Sequence, residues 1–274
     1  MVTSQQKTAL SLKNLKNSAS GFQKISCVTA YDYTSAKLID KEVDMILVGD
    51  SLGMVVQGKP NTLSVTLEQM IYHTQCVSRA ITQAHLSVDM PFMSYQLGPK
   101  EALQNAGRLV AEGGAHSVKL EGGVFIAPSV ENIVSAGIPV LGHVGLTPQS
   151  VHQMGGYKVQ GKTVSSREAI IQDALAIEEA GAFALVLESI PAELAQVITD
   201  RLKIPTIGIG AGPHCDGQVL VLHDLLGLNT DFKPKFVKTY ASLSESLVKA
   251  VRQFTEEIRT QQFPTSEHSY YAGS

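Results

Sequence analysis

The sequence contains only three cysteines in 274 residues, Cys27, Cys76 and Cys215. They lie far apart, without CxxC or zinc-ligand spacing, so neither a disulfide framework nor a structural zinc site is indicated. No apolar run reaches the roughly 18 residues that a membrane-spanning helix needs. A cytoplasmic, reducing location is therefore expected.

An excess of charge of one sign is also absent. The formal net charge is −3, with acidic and basic residues interspersed. No basic face argues for nucleic acid or an anionic membrane, so a small-molecule partner is favoured. With 44% hydrophobic residues, the chain can bury a sizeable core, and one α/β barrel of ordinary size would use nearly all of it.

The first 31 residues contain no acidic residue. This faintly resembles a transit peptide, but the segment lacks arginine and a cleavable apolar core, so a short N-terminal helix is the preferred interpretation. We predict one barrel domain over 1–274, with an N-terminal extension at 1–23 and a polar C-terminal tail at 265–274.

Eight apolar runs of strand length follow one another along the chain. They are 25–30, 45–50, 86–89, 117–121, 138–143, 183–189, 205–210 and 219–224. An open doubly wound sheet would ordinarily stop at five or six strands, whereas a closed barrel requires eight. The predicted fold class is α/β, a (β/α)8 TIM barrel in a single domain with a short N-terminal helix.

Two capping-box patterns predict helix starts, one at Thr66–Gln69 and one at Ser165–Glu168. The first helix is predicted to reach about Ala84. The segment 145–163 lies before the second box and shows no clear period. A loop of this length in a compact domain is either a lid or a disordered insert, and we favour the lid.

Acidic residues end four of the apolar runs: Asp50, Asp89, Glu121 and Glu188. The carboxyl ends of barrel strands converge on one mouth, so these acids would be neighbours. They can all stay ionised only if a cation or a basic side chain offsets them, and oxygen ligands suit a hard ion such as Mg²⁺. The alternative is that each acid caps the helix after its strand.

Three further features belong to the same strand ends. Lys119 lies two residues before Glu121, so both side chains point into the barrel, where the lysine meets an anionic substrate or pairs with an acid. His143 ends the fifth run and either contacts substrate or is a structural residue. The glycines at 208–212 bind phosphate or simply permit close approach of the backbone.

Seven motifs, taken in order, resemble the ketopantoate hydroxymethyltransferase family. They are 29–32 (TAYD), 48–53 (VGDSLG), 119–123 (KLEGG), 142–145 (GHVG), 155–161 (GGYKVQG), 187–188 (LE) and 208–212 (GIGAG). The resemblance covers nearly the whole chain, from about residue 8 to the 263–268 tail.

The resemblance implies transfer of a hydroxymethyl group from 5,10-methylenetetrahydrofolate to 3-methyl-2-oxobutanoate, giving 2-dehydropantoate for pantothenate biosynthesis. It implies Mg²⁺ ligands at Asp50 and Asp89, support of the ion by Glu121, directly or through water, and a proton acceptor at Glu188. The implied substrate-binding residues are Asp50, Ser51, Asp89, Lys119 and His143. The family also implies a homo-oligomer, commonly a decamer.

This chemistry agrees with the residues. A 2-oxo acid can chelate Mg²⁺, which polarises the ketone so that the C3 proton becomes removable, and Lys119 with the ion would hold the enolate charge. A Mg²⁺-dependent lyase or mutase of the phosphoenolpyruvate mutase/isocitrate lyase type is the alternative. Those enzymes use a cysteine in a strand-end loop, whereas Cys76 is predicted in mid-helix. A phosphosugar-binding barrel would rest on 208–212 alone, and a non-catalytic assembly protein would leave the inward charges unexplained.

Overall fold

The structure, a computed structural model, describes residues 6–16, 23–230 and 233–272. The chain divides into two compact units, Met1–Leu222 and His223–Ser274. The first unit holds all the strands found in the described residues. No helix in these ranges is long and apolar enough to cross a membrane.

Eight parallel strands pair in chain order and close on themselves through β1 and β8. The strands are β1 (Ile25–Thr29), β2 (Met45–Val48), β3 (His85–Asp89), β4 (Ser117–Glu121), β5 (Val140–Gly145), β6 (Ala184–Glu188), β7 (Thr206–Ile209) and β8 (Gly217–Leu220). The prediction of a (β/α)8 barrel is confirmed. Because parallel strands all end at the same rim, the barrel creates one mouth for every strand end.

Helices follow most of the strands. They are α1 (Ala9–Leu15), α2 (Tyr33–Ile39), α3 (Leu52–Val55), α4 (Leu67–Ser78), α5 (Pro99–Ala111), α6 (Ala127–Ser135), α7 (Val164–Glu179), α8 (Ala192–Arg201), α9 (Leu222–Leu225) and α10 (Leu243–Arg259). One large buried cluster lies between the helices and the outer face of the sheet, and a smaller one fills the barrel. Most strand residues are buried, with Ser26 in β1 and Gln218 in β8 as the exposed ones in the described strands. Burial on both faces is why the strands appear in the sequence as largely apolar runs.

The predicted N-terminal helix is present as α1. Thr8 caps it in a reciprocal pair with Ser11. Leu12 is fully buried and belongs to the cluster inside the barrel. Lys16 Nζ lies 3.1 Å from Oδ2 of Asp216, which is the residue directly before β8. The helix therefore packs against the amino ends of the strands, opposite the mouth.

β7 and β8 are joined by residues 210–216, with no helix. Gly210 and Gly212 have φ of 64° and 79°, and a Cβ on Gly212 would lie 2.4 Å from Ala192 Cβ in α8. The glycines at 208–212 are thus explained by a short crossover and close packing, without a bound phosphate.

The eighth strand was predicted at 219–224, which is wrong because β8 spans Gly217–Leu220 and residues 222–225 are helical. Pairing with β1 sets the start of β8, since Gly217 is opposite Ile25. The N–H of Leu222 donates to Thr29 Oγ1 at 3.0 Å after the strand has ended. The apolar run at 219–224 therefore contains both the end of β8 and the start of α9.

Two predicted helix boundaries are also wrong. α4 ends at Ser78 instead of Ala84 because the Asp40 carboxylate accepts the N–H groups of residues 82–84 and holds them out of the helix. α7 begins at Val164, where Thr163 pairs with Ser166, so the cap lies two residues before the predicted box. The start of α7 depends on a cap that several neighbouring residues could form, whereas the end of α4 depends on a side chain distant in the sequence.

Replacing Leu12 with alanine should lower the free energy of unfolding by about 2–5 kcal/mol, because it leaves a cavity at the end of the barrel. The matched control is Leu10→Ala on the same helix, where the side chain is 67% exposed and the expected change is within about 0.5 kcal/mol. Urea unfolding of both variants makes the measurement. Equal small losses would show that α1 does not stabilise the barrel.

Candidate active site

The residues that the sequence singled out lie at the mouth of the barrel. Asp89, Glu121 and Glu188 are the last residues of β3, β4 and β6, and Asp50 follows β2 by two positions. Strand pairing sets Asp89 opposite Lys119, and Glu121 opposite His143. We refer to Asp50, Asp89, Lys119, Glu121, His143 and Glu188 as the charged cluster.

The first half of the charged cluster is held by direct contacts. The backbone N–H of Asp50 donates to Asp89 Oδ2 at 3.0 Å. The Lys119 Nζ lies 2.8 Å from Asp89 Oδ1 and 3.5 Å from Glu121 Oε1. All four side chains are buried, so their charges interact with little screening by water.

The second half continues through His143, whose imidazole lies between two carboxylates. Its Nδ1 is 3.2 Å from Glu121 Oε1, and its Nε2 is 3.2 Å from Glu188 Oε2. Only Glu188 of this group is partly exposed, with 17% of its side chain accessible. The charged cluster is therefore continuous from Asp50 to Glu188, and Glu188 is its exposed end.

Ser51 also lies at the mouth, before α3. Its Oγ is 2.8 Å from the Tyr31 hydroxyl. A Cβ on Gly49 would lie 2.7 Å from Ser51 Oγ and 3.6 Å from Asp89 Oδ2, so a larger residue there would displace the Ser51 hydroxyl. Gly49 thus leaves room for the hydroxyl of Ser51 at the mouth.

Lys119 and Glu121 form a buried ion pair. Burial opposes the charge on Lys119, but Asp89, Glu121 and Asp50 outweigh it and raise the pKa of Lys119 above its usual range. Burial likewise opposes ionisation of Glu121, yet Lys119, His143 and the Gln149 N–H lower the pKa of Glu121 to about 2. Both groups are therefore charged at neutral pH.

His143 is a cation in this setting. Burial and Lys119 disfavour its protonation, whereas Glu121 and Glu188 favour it and raise the pKa of His143 to about 9. From the sequence, His143 is either a substrate contact or a structural residue. In the structure it pairs with the proposed base, a role that depends on β5 lying between β4 and β6.

Asp50 is a carboxylate whose ionisation is opposed by its surroundings. Burial, followed by the negative charges of Asp89 and Glu121, raises the pKa of Asp50 well above its usual value. The charged cluster has four carboxylates and two basic groups, so with all six ionised it holds two excess negative charges. A divalent cation would offset that excess.

The donor set fits a magnesium ion held by two protein carboxylates. In the described residues, no group of three or more His, Cys, Asp or Glu side chains is arranged to hold a metal. Glu121 contacts Lys119, His143 and the N–H of Gln149. Asp89 Oδ1 is buried and lies 2.8 Å from Lys119 Nζ, but within the described part of the chain this ion pair is not accompanied by a hydrogen bond of good geometry. Mg²⁺ commonly takes one or two carboxylates and completes its shell with water and substrate.

Two residues of the site were missed from the sequence. Tyr95 is buried, and its hydroxyl lies 3.1 Å from the carbonyl oxygen of Glu121 and 2.7 Å from Gln149 Oε1. Gln149 itself reaches Asp50, with Nε2 2.9 Å from Oδ2. Neither has a distinctive spacing, and a glutamine in a polar loop gives no sequence signal that it will be buried.

The segment 145–163 covers one side of the mouth. It contains a short 3-10 helix, Pro148–Ser150, followed by turns. The hydroxyl of Tyr157 lies 3.9 Å from Met54 Sδ in α3. Burial raises the pKa of Tyr157, and Asp50, Glu188 and Glu121 add to the effect, so this tyrosine lies near the charged cluster. Its function as a lid stays a prediction.

Sequence comparison places the chain among known enzymes. Residues 8–266 match the family model described as ketopantoate hydroxymethyltransferase. The 3-methyl-2-oxobutanoate hydroxymethyltransferase of Thermoanaerobacter sp. (strain X514) is 54% identical over 264 residues, covering 96% of this chain and 95% of the relative. The enzyme of the same name from Pelobacter propionicus is 57% identical over 249 residues, covering 90% and 92%.

Solved structures with low identity share the fold. A 2,3-dimethylmalate lyase, described as a member of the PEP mutase/isocitrate lyase superfamily, aligns with a TM-score of 0.58 at 17% identity, covering 99% of this chain and 93% of that one. A phosphonopyruvate hydrolase aligns at 0.61 and 12% identity, covering 98% and 92%. At this identity the likeness concerns the barrel alone.

Protonated His143 should stabilise the fold in a defined pH window. Since its pKa rises from 6.5 to about 9 on folding, the contribution is complete below about pH 6.5 and is lost as pH rises through 9. With EDTA present, the free energy of unfolding of the wild type should fall as the pH rises from 6.5 through 9. In His143→Gln this fall should be smaller by on the order of 3 kcal/mol. The control is His152→Gln at an exposed position, which should show the same pH dependence as the wild type. If His143→Gln showed this pH dependence too, His143 would not be the group that is protonated on folding.

Proposed function

The chain belongs to the ketopantoate hydroxymethyltransferase family, and we propose that it transfers a hydroxymethyl group from 5,10-methylenetetrahydrofolate to 3-methyl-2-oxobutanoate, giving 2-dehydropantoate. It is a hydroxymethyl transferase by family. The observation that supports this reaction best is the continuous charged cluster, which has the adjacent carboxylates of Asp50 and Asp89 at one end and the partly exposed carboxylate of Glu188 at the other.

The substrate would bind between these two ends. Asp50 and Asp89 would hold Mg²⁺, with Glu121 behind them, engaged by Lys119 and His143. The chemistry that magnesium supplies when bound is polarisation of the ketone in a chelated 2-oxo acid, which acidifies the C3 proton. Ser51, whose hydroxyl position is set by Tyr31, would donate a hydrogen bond to the substrate carboxylate.

Glu188 is the proposed proton acceptor. It is the member of the charged cluster with a partly exposed side chain, and the protonated His143 at 3.2 Å orients one of its oxygens. The carboxylate would take the C3 proton, and the electron pair of that C–H bond would pass into the enolate. Lys119 would lie near the developing negative charge, which favours the transition state.

The atoms balance with one water. C3 of the enolate forms a bond to the methylene carbon of the folate, that carbon leaves both folate nitrogens, and water supplies the hydroxyl oxygen. The products are 2-dehydropantoate and tetrahydrofolate. The segment 145–163, with Tyr157 near the carboxylates, would lie beside the folate and could close over it.

A homo-oligomer, a decamer by family resemblance, remains part of the proposal, as does a cytoplasmic location. One observation supports self-association. The final helix, α10, has four apolar side chains at helical spacing that are each 47–58% exposed: Leu247, Val251, Phe254 and Ile258. A second copy of the chain would remove this apolar face from water.

The lyase or mutase alternative has no comparable support. Cys76 lies within α4, as predicted, and Cys27 lies inside the barrel. Cys215 is fully buried in the β7–β8 connection, two residues before β8 and so at the amino ends of the strands, away from the mouth. Burial, with the charge of Asp89, raises the pKa of the Cys27 thiol to about 12, so it is protonated and poorly suited to acid–base chemistry at neutral pH. The shared barrel does not distinguish the two reactions.

The reaction is tested by mixing the purified protein with 3-methyl-2-oxobutanoate, methylenetetrahydrofolate and Mg²⁺, and following 2-dehydropantoate by mass spectrometry. Product should form, EDTA should abolish it, and added Mg²⁺ should restore it, because Asp50 and Asp89 need a cation between them. Cleavage of isocitrate or conversion of phosphoenolpyruvate, without folate turnover, would favour the alternative.

Replacing Glu188 with glutamine should stop exchange of the C3 proton of 3-methyl-2-oxobutanoate with deuterated solvent, because the amide cannot accept the proton. Proton NMR follows the exchange, and substrate titration tests whether binding is retained. Glu193→Gln makes the same change on an exposed residue of α8 and should exchange normally. Exchange at the wild-type rate in Glu188→Gln would remove this residue as the base.

A further inference from the structure

We propose that Gln149 is a positioning residue that orients the carboxylate of Asp50 toward the metal ion. This inference rests on the proposed function, because it assumes that Asp50 is a metal ligand. Gln149 is 5% exposed and lies in the 3-10 helix of the segment after β5. It contacts the charged cluster at two separate carboxylates.

The side-chain amide of Gln149 makes three contacts with buried groups. Its Nε2 donates to Asp50 Oδ2 at 2.9 Å and to the carbonyl oxygen of Met90 at 2.9 Å. Its Oε1 accepts from the Tyr95 hydroxyl at 2.7 Å. Because both neighbours of Nε2 can only accept, the amide has a single orientation that satisfies them.

The backbone of Gln149 is fixed as firmly as its side chain. Its N–H donates to Glu121 Oε2 at 3.1 Å. The chain reaches this position through Gly145, which has φ 98° and whose Cβ, if present, would lie 2.4 Å from the carbonyl oxygen of Glu188. One residue therefore bridges Asp50, which follows β2, and Glu121, which ends β4.

This arrangement has a consequence for metal binding. With Oδ2 of Asp50 held by the amide, Oδ1 is left as the oxygen through which Asp50 would meet the ion. Residues that orient a metal ligand in this way commonly contribute 10–100-fold to metal affinity.

The test measures Mn²⁺ binding to the purified protein by electron paramagnetic resonance, with and without 3-methyl-2-oxobutanoate. Gln149→Met keeps nearly the same volume and removes both hydrogen-bonding groups, so the Mn²⁺ dissociation constant should rise about 10–100-fold. Gln96→Met is the matched control, because Gln96 Nε2 donates to the same Oε1 at 3.2 Å without touching Asp50, and its change should stay within about twofold.

Asp50→Ala separates this inference from the function on which it rests. Wild-type affinity in Asp50→Ala would show that Asp50 is not a ligand, and the proposed metal site would be wrong. Loss of binding in Asp50→Ala with unchanged binding in Gln149→Met would overturn only the positioning role. A lowered melting temperature of Gln149→Met with unchanged affinity would indicate a merely structural residue.

Tyr95→Phe keeps the proposal testable if Gln149→Met does not fold. It removes the shorter of the two hydrogen bonds to Gln149 Oε1, which is 2.7 Å from Tyr95 and 3.2 Å from Gln96. The Mn²⁺ dissociation constant should rise several-fold, because the amide keeps only the longer, partly buried bond at that end. An unchanged dissociation constant in a folded Tyr95→Phe protein would contradict the role of Gln149.

Discussion

The alternation of charge across the barrel mouth is the constraint on which the site depends. Lys119 lies between Asp89 and Glu121, and His143 lies between Glu121 and Glu188. Asp89, Glu121 and Glu188 each face one of these two cations, whereas Asp50 does not. Burying a carboxylate as an ion without a cation is costly. Removing either cation would leave unpaired buried negative charge, so Lys119 and His143 hold the carboxylates of the mouth together.

The closed barrel makes that alternation possible. Parallel pairing sets Asp89 beside Lys119, Glu121 beside His143, and Gly145 beside Glu188. A one-residue slip between two strands would turn a whole set of side chains from the interior to the helix layer. The apolar interior beneath the site, reinforced at its far end by Leu12 of α1, therefore sets the register that the chemistry needs.

Asp50 is the carboxylate of the charged cluster that has no ion pair with Lys119 or His143. It lies beside Asp89 and Glu121, its pKa is raised, and Gln149 supplies a hydrogen bond but no charge. We infer that this deficit is what selects a divalent cation, because two protein carboxylates leave coordination positions for a chelating 2-oxo acid. The site would then be completed only when metal and substrate are both present.

The sequence by itself determined the eight strands, the barrel, and the residues at the strand ends, because a strand buried on both faces appears as an apolar run and its end as the first charge. It could not determine the end of α4, since Asp40 captures its N–H groups from a distance of about 42 residues, nor the limits of β8, which depend on pairing with β1. Only the tertiary structure decided that His143 is a cation between two acids and that Gln149 reaches Asp50 from 99 positions away. The protonation and burial of His143 and Gln149 depend on neighbours that the fold supplies, and the ends of α4 and β8 depend on residues distant in the sequence. The apolar pattern of a strand, in contrast, is local.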